Sequence, residues 1–267
     1  MSKLEQAIIT LQDMQSVRIE AGRTISPVCG LIVTVAYLVA MLSVSVDRVG
    51  ILLWFAVYPI LAAPWLGMSF TSVFIRSLYA LPFIIFIGVF NPVFDTVPAL
   101  MIGDVVVTRG WISFVSIILR GLMSVQAIII LICACGFEGV CRGMRTIGIP
   151  AFLVTQLLMV YRYMTVLLIE LLNMKRARES RSYGNSRMTL KMWGQMTGQL
   201  FMRTVSRAER INRAMLARGF NGTMPLYTPH NPDRSVSDMI FTVVWIAAFA
   251  ILRFTNISAI MGFNRLF

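Results

Sequence analysis

One short pattern occurs twice in this chain, thirty-seven residues apart. The first copy is Arg176-Ala177-Arg178-Glu179-Ser180-Arg181-Ser182-Tyr183-Gly184-Asn185, and the second is Arg213-Ala214-Met215-Leu216-Ala217-Arg218-Gly219-Phe220-Asn221-Gly222. Both give Arg-Ala, two variable residues, a small residue, Arg, a very small residue, then an aromatic followed by Gly or Asn. Arginine offers five donors in a rigid fork, and small neighbours let a foreign backbone come close. An aromatic beside it can fill an apolar groove, and aromatic and arginine anchors dominate interface hot spots. That is the chemistry of docking. One copy alone would read as ordinary helix capping with Arg in the last turn; two matched copies favour docking.

Signs of catalysis are missing from the sequence. Lys3, Lys175 and Lys191 are the lysines, and none follows glycine in a phosphate-binding loop. His230 is the single histidine, in a linker with Pro225, Pro229 and Pro232, where it reads as a solvated loop residue. Cys133, Cys135 and Cys141 do not match a common zinc spacing, so with Cys29 they are expected to be reduced packing residues. No metal site is expected. An alternative is a membrane enzyme gripping lipid or isoprenoid phosphates, but that needs clustered carboxylates or a nucleophile and base. The twelve acidic residues are scattered. A second alternative is a scaffold whose basic segment binds anionic lipid.

Each copy closes a helical stretch, Pro150 to Ser182 for the first and Met188 to Arg218 for the second. Gly219, and Gly184 with Asn185, are residues that stop helices by accepting left-handed dihedrals. The tip arginines then sit where their charge complements the helix macrodipole. In the second helix Trp193, Met196, Leu200, Val205, Ala208, Ile211 and Met215 form an apolar stripe, flanked by Arg203, Arg207, Arg210 and Arg213. Two such helices can pack across each other as struts that carry motion from tip to membrane.

The composition puts those struts on a membrane protein. Of 267 residues, 57% are hydrophobic and 13% charged, against about 45–50% and about 25% in globular domains; mean hydropathy is +0.76. This excludes disorder and an ordinary cytosolic enzyme. Apolar runs are expected to span at Ile25–Val46, Ile51–Met68, Leu78–Phe94, Trp111–Cys135 and Met239–Leu252, the last extended towards Val236 and Phe254; the first is free of charge and long enough to cross about 30 Å of hydrocarbon. Asp47, Arg48 and Gly50 make the first turn. A loop carrying Asn91-Pro92, Asp95, Pro98, Gly103-Asp104 and Arg109-Gly110 precedes the fourth run. Arg120 within that run is expected to face protein, either bridging to a partner subunit or packing helices. Leu4, Ile8, Leu11 and Met14 suggest a short helix at the cytoplasmic surface.

Residues 136–235 hold fifteen of twenty-four basic residues and five acidic ones, a local charge of +10. By the positive-inside rule this segment and the N-terminus are cytoplasmic, the C-terminus lies outside, and nucleic acid need not explain the overall +12. Ala151–Met174 is apolar enough for a sixth span, but crossing there would put the arginines outside. It is therefore expected to be part of a long helix, partly sunk among the others. The expected layout is an interfacial segment 1–24, a four-helix transmembrane region 25–135, a cytoplasmic domain 136–235 of two long crossed helices, and a last span with a short tail at 236–267. This is an all-α integral membrane protein with about five transmembrane helices.

From about Phe137 to Gly222 the sequence resembles the transmembrane T component of energy-coupling-factor transporters, the CbiQ/EcfT family. That family carries two Ala-Arg-Gly-like signatures at the ends of its coupling helices. Ala217-Arg218-Gly219 matches fully, and Ser180-Arg181-Ser182 is a small-residue variant. Gly148 to Glu170 also looks like the family's lead into the first signature, and "ARGFNG" (Ala217 to Gly222) stands closer to the cobalt-transport CbiQ branch. The resemblance implies a non-catalytic subunit of a bacterial or archaeal plasma-membrane importer. Two ABC ATPase subunits, which bind the ATP and magnesium, would dock on Arg181 and Arg218, with Ala177, Arg178, Tyr183, Ala214 and Phe220 in support. A CbiM-like S component would bind the substrate, cobalt or nickel.

Overall fold

The computed structural model describes residues 25–45, 49–95, 98–102, 105–182, 189–222 and 232–254. The expected N-terminal helix, Asp47 and Arg48, Gly103-Asp104, the Tyr183-Gly184-Asn185 end of the first copy and His230 lie outside these residues. The helices are α1 (Pro27–Leu42), α2 (Val49–Phe55), α3 (Val57–Trp65), α4 (Phe70–Leu78), α5 (Leu81–Gly88), α6 (Phe90–Phe94), α7 (Arg109–Thr146), α8 (Ala151–Glu179), α9 (Leu190–Ala217) and α10 (Pro232–Phe254). The chain is an all-α multi-pass membrane protein. Helices α7, α8 and α10 have the length and apolarity to cross a bilayer, and Phe70–Leu78 with Leu81–Pro92 does so as a pair bent by 51°.

Three local features differ from the sequence reading, each for a physical reason. The third run starts early, at Phe70, so that Arg76 falls inside a helix. Its bend lies just before Pro82, which has no N–H for the Leu78 carbonyl. The expected loop before α7 contains a hairpin, β1 (Pro98–Ile102) paired antiparallel with β2 (Val105–Thr108), Ile102 opposite Val105. The β-branched run Val105-Val106-Val107-Thr108 favours extended backbone. Within α7 the helical geometry breaks at Gly136, with φ 68° and ψ 160°, a region essentially confined to glycine. The apolar run ends one residue earlier, at Cys135.

The chain divides into two compact units, one of residues up to Gly143 and from α10 onward, the other from Met144 to Gly222. In the first unit side-chain contacts fix the direction of every span. A Cβ on Gly143 or Gly139 would meet Pro27, while Gly30 faces Leu131 and Cys135, and Arg120 reaches the Val44 carbonyl at 2.8 Å. So α7 is antiparallel to α1. Arg76 contacts Cys133, Gln126 contacts Ser77, and Ile84 faces Gly121, Gly88 faces Phe114 and Asn91 faces Gly110. Thus α4–α6 runs the length of α7 in the opposite direction. Trp65 stacks on Phe241, Tyr58 packs on Trp245, and Phe55 lies against Phe249, so α2–α3 is antiparallel to α10. Ser26 bonds Asp238 near one end and Ser43 accepts from Arg253 near the other, so α10 is parallel to α1.

Among the described residues α1, α2–α3, α4–α6, α7 and α10 thus alternate in direction along the chain, and α7 ends where α10 begins.

The core of this unit is aromatic. Tyr37, Phe55, Tyr58 and Phe249 are buried, and the Tyr37 hydroxyl donates to the Phe55 carbonyl at 3.1 Å. That carbonyl lies four residues before Pro59, which has no N–H to give it. Helix α1 has neither an acid in its first turn nor a base in its last. Its neighbours supply both: Asp238 from α10 at the start, Arg120 and Arg253 at the end, matching the macrodipole. Arg120 thus faces protein, as expected.

Candidate functional site: two helix tips

Helices α8 and α9 carry the two signatures and pack against each other in antiparallel sense. Arg178 near the end of α8 places its guanidinium on the sulfur of Met192 near the start of α9. Further along, Arg203 Nη1 meets Glu170 Oε1 at 2.7 Å. At the far end Phe152, Thr155 and Met159 share a cavity with Ile211, Met215 and Phe220. The exposed ion pair adds little stability but fixes the register. Because the helices oppose each other, their C-terminal tips stand at opposite ends of the pair. Helices of 29 and 28 residues at about 1.5 Å per residue separate Arg181 from Arg218 by roughly 40 Å.

The tips are closed by different chemistry. At the second, the Phe220 N–H donates to the Met215 carbonyl and the Gly219 N–H to that of Leu216, both at 3.0 Å, with Gly219 at φ +78°. This is the complete glycine-terminated Schellman arrangement, with Arg218 at its C-cap. At the first, the Ser180 N–H donates to the Arg176 carbonyl and the Arg181 and Ser182 N–H groups to that of Arg178, and serine hydroxyls add to these bonds: Ser180 Oγ donates to the Arg176 carbonyl at 3.0 Å and Ser182 Oγ to that of Glu179 at 3.1 Å. Ser-Arg-Ser and Ala-Arg-Gly are thus two ways of ending a helix beside an outward arginine. Ser180, Arg181, Ala217, Arg218 and Gly219 are exposed, Ser182 half-buried.

The supporting residues divide. Ala177 and Ala214 are exposed. Arg178 is turned onto α9, and Phe220 lines the cavity between the helices. Within the expected stripe of α9, Met196 is buried and Trp193, Leu200, Ile211 and Met215 are half-buried, whereas Val205 and Ala208 are exposed. The sequence reading missed Met192 and the Glu170–Arg203 register pair, which only antiparallel packing of two distant segments defines. Helix α8 starts at Ala151 with Pro150 as its cap residue, one place outside the expected first turn. Among the described residues no three His, Cys, Asp or Glu side chains gather as a metal site, and Cys29, Cys133, Cys135 and Cys141 form no disulfide.

The CbiQ family model, described as cobalt transport protein, matches residues 22–228. Uncharacterized protein MJ1089 of Methanocaldococcus jannaschii is 33% identical over 103 residues, 38% of either chain. Uncharacterized protein MJ1571 of the same organism is 26% identical over 140 residues, 51% of this chain and 48% of that one. The matches therefore span less than half the length of either relative.

Proposed function

Because the chain belongs to the CbiQ family of cobalt transport proteins, matched over residues 22–228, we propose that this transporter membrane component is the coupling subunit of an energy-coupling-factor ABC importer. Two cytoplasmic ATPase subunits bind ATP and magnesium, and each seats one helix tip. Arg181 and Arg218 enter their grooves and pair with acidic groups there. A separate CbiM-like membrane subunit holds the cargo, cobalt or nickel. The present chain is non-catalytic and turns changes in ATPase separation into movement of that subunit. It sits in a bacterial or archaeal plasma membrane with its N-terminus and residues 136–235 on the cytoplasmic side.

The observation that carries this reading is the placement of Arg181 and Arg218 at opposite ends of one antiparallel helix pair. Two exposed guanidinium groups roughly 40 Å apart suit two separate partner chains better than one binding site. The contacts Arg178–Met192 and Glu170–Arg203 tie the helices together, so a displacement imposed at one tip moves the pair as a body.

Simultaneous Arg181→Glu and Arg218→Glu substitution tests the assignment. Losing a buried charge partner costs about 2–5 kcal/mol per site, so the doubly reversed chain should no longer bring down ATPase subunits, while its membrane portion folds as before. Undiminished co-purification would refute docking through these arginines.

A further inference from the structure

We propose that one chloride ion binds inside the bundle between α7 and the carboxyl end of α1, held by the Ser116 hydroxyl and the Nε–H of Arg120. Both residues continue the stripe of α7 that packs into the core, Met123, Ala127, Ile130 and Ala134, at the alternating spacing of three and four that keeps to one helix face. Ser116 is fully buried, and among the described residues its Oγ has no hydrogen-bond partner; neither has the buried Nε of Arg120. Long side chains on a helix lean back over the preceding turn, so the Arg120 side chain lies over the turn that carries Ser116. Its Nη2 is fixed on the Val44 carbonyl at 2.8 Å, which leaves the Nε edge for a ligand. Two stranded donors one turn apart call for a shared acceptor.

Charge decides what that acceptor is. Arg120 is permanently charged and sits on a helix long and apolar enough to cross a bilayer, where a cation needs a counter-charge. Two guanidinium groups converge on the carboxyl end of α1, Arg120 at Val44 and Arg253 at Ser43, and that helix end offers only about half a negative charge. The described carboxylates of this unit lie elsewhere. Asp238 caps the opposite end of α1, and Asp233 belongs to the same first turns of α10. Glu138 stands about 27 Å further along α7, and Asp95 is beside Gly110, about 15 Å back along it. A water molecule would satisfy both donors but leave the charge. Chloride answers both needs through charge-assisted bonds, and it is smaller and more easily dehydrated than phosphate or sulfate. The site uses neither tip arginine, so this proposal stands independently of ATPase docking.

Thermal unfolding of the purified full-length chain in detergent tests it, with sodium chloride set against sodium gluconate at equal ionic strength. Chloride should raise the midpoint saturably, by roughly 3–6 °C at ten times its dissociation constant, and bromide should replace it. Arg120→Gln should abolish the halide response. Ser116→Ala removes only the hydroxyl and should weaken chloride binding about tenfold. Crystals of the wild-type chain soaked in bromide should show one anomalous peak between Ser116 Oγ and Arg120 Nε; this and Ser116→Ala decide the matter should Arg120→Gln not fold. Identical midpoints in the two salts would overturn the proposal, as would a halide response untouched by Ser116→Ala or water density in place of bromide. So would strong coupling of Arg120→Gln with Asp47→Asn in a double-mutant cycle, which would give the counter-charge to the acid three residues beyond Val44 in the sequence.

Discussion

Asp238 Oδ2 accepts the backbone N–H of Ser26 at 2.7 Å, joining the start of α10 to the start of α1 across 212 positions of sequence. The carboxylate is buried, and it meets an N–H that α1 itself leaves without a side-chain cap. With Arg253 on Ser43 near the other end, it makes the last span parallel to the first. This parallel pairing brings α10 back to the end of the bundle where α7 finishes.

Asp238→Ala should therefore destabilise the bundle by about 1–3 kcal/mol, the cost of stranding a buried donor. Asp238→Asn keeps an acceptor and should lose less. Thermal unfolding in detergent would order the variants as wild type, Asn, Ala; equal midpoints for Ala and wild type would remove the contact's importance.

The Tyr37 hydroxyl and Pro59 are predicted to be coupled. Tyr37→Phe strands the Phe55 carbonyl and should cost about 1–2 kcal/mol. Pro59→Ala restores an N–H four residues after that carbonyl, so in its background Tyr37→Phe should cost clearly less. A double-mutant cycle by chemical denaturation measures the difference, and strict additivity would contradict it.

Much of this was legible beforehand. The five apolar runs each became helix because long apolar stretches have few other solutions in lipid. The break at Gly136 could be read as the end of an apolar run, and the Schellman tip from Gly219 following a periodic helix. The hairpin was hidden by its punctuation: Pro98, Gly103 and Asp104 signalled a loop more loudly than three valines signalled a strand. The serine caps were legible only as small residues, since a hydroxyl's choice between solvent and a carbonyl is settled by local geometry. The inward turn of Arg178 depends on Met192, fourteen residues away on another helix, which no local pattern encodes.

Gly219 separates two roles of a small residue. A Cβ there would meet nothing within 4 Å, so within the chain the cost of a side chain is the φ of +78° alone, roughly 1–2 kcal/mol for an L residue. Gly219→Val should fray the tip, visible as faster amide exchange at Arg218 and Phe220. Gly219→Asn tolerates the conformation and should keep the cap. Docking that fails in both variants would assign Gly219 to close approach of the ATPase; docking that fails only with Val would assign it to the cap.

Other glycines divide in the same way. At Gly110 a Cβ would lie 2.6 Å from the carbonyl oxygens of Asn91 and Asp95, backbone that cannot step aside. Gly110→Ala should cost about 1–3 kcal/mol or more by overpacking. Gly194 and Gly198, inside α9, have open space around them, and Ala at either should stabilise the helix by about 0.5–1 kcal/mol. Melting curves of the three variants would show opposite signs; a uniform shift would contradict the packing described.

The most direct test of the docking account is crosslinking from the tips themselves. Ala177→Cys and Ala214→Cys, exposed one turn before each tip arginine and introduced together into a chain whose native cysteines are replaced, would carry a short thiol-directed crosslinker in the assembled complex with Arg181 and Arg218 intact. The account predicts a product in which one copy of this chain holds two ATPase subunits, one per tip, reduced to a single adduct when either cysteine is omitted. Modification of either cysteine by an impermeant reagent added outside intact cells, or a doubly substituted chain that never captures more than one ATPase, would contradict it.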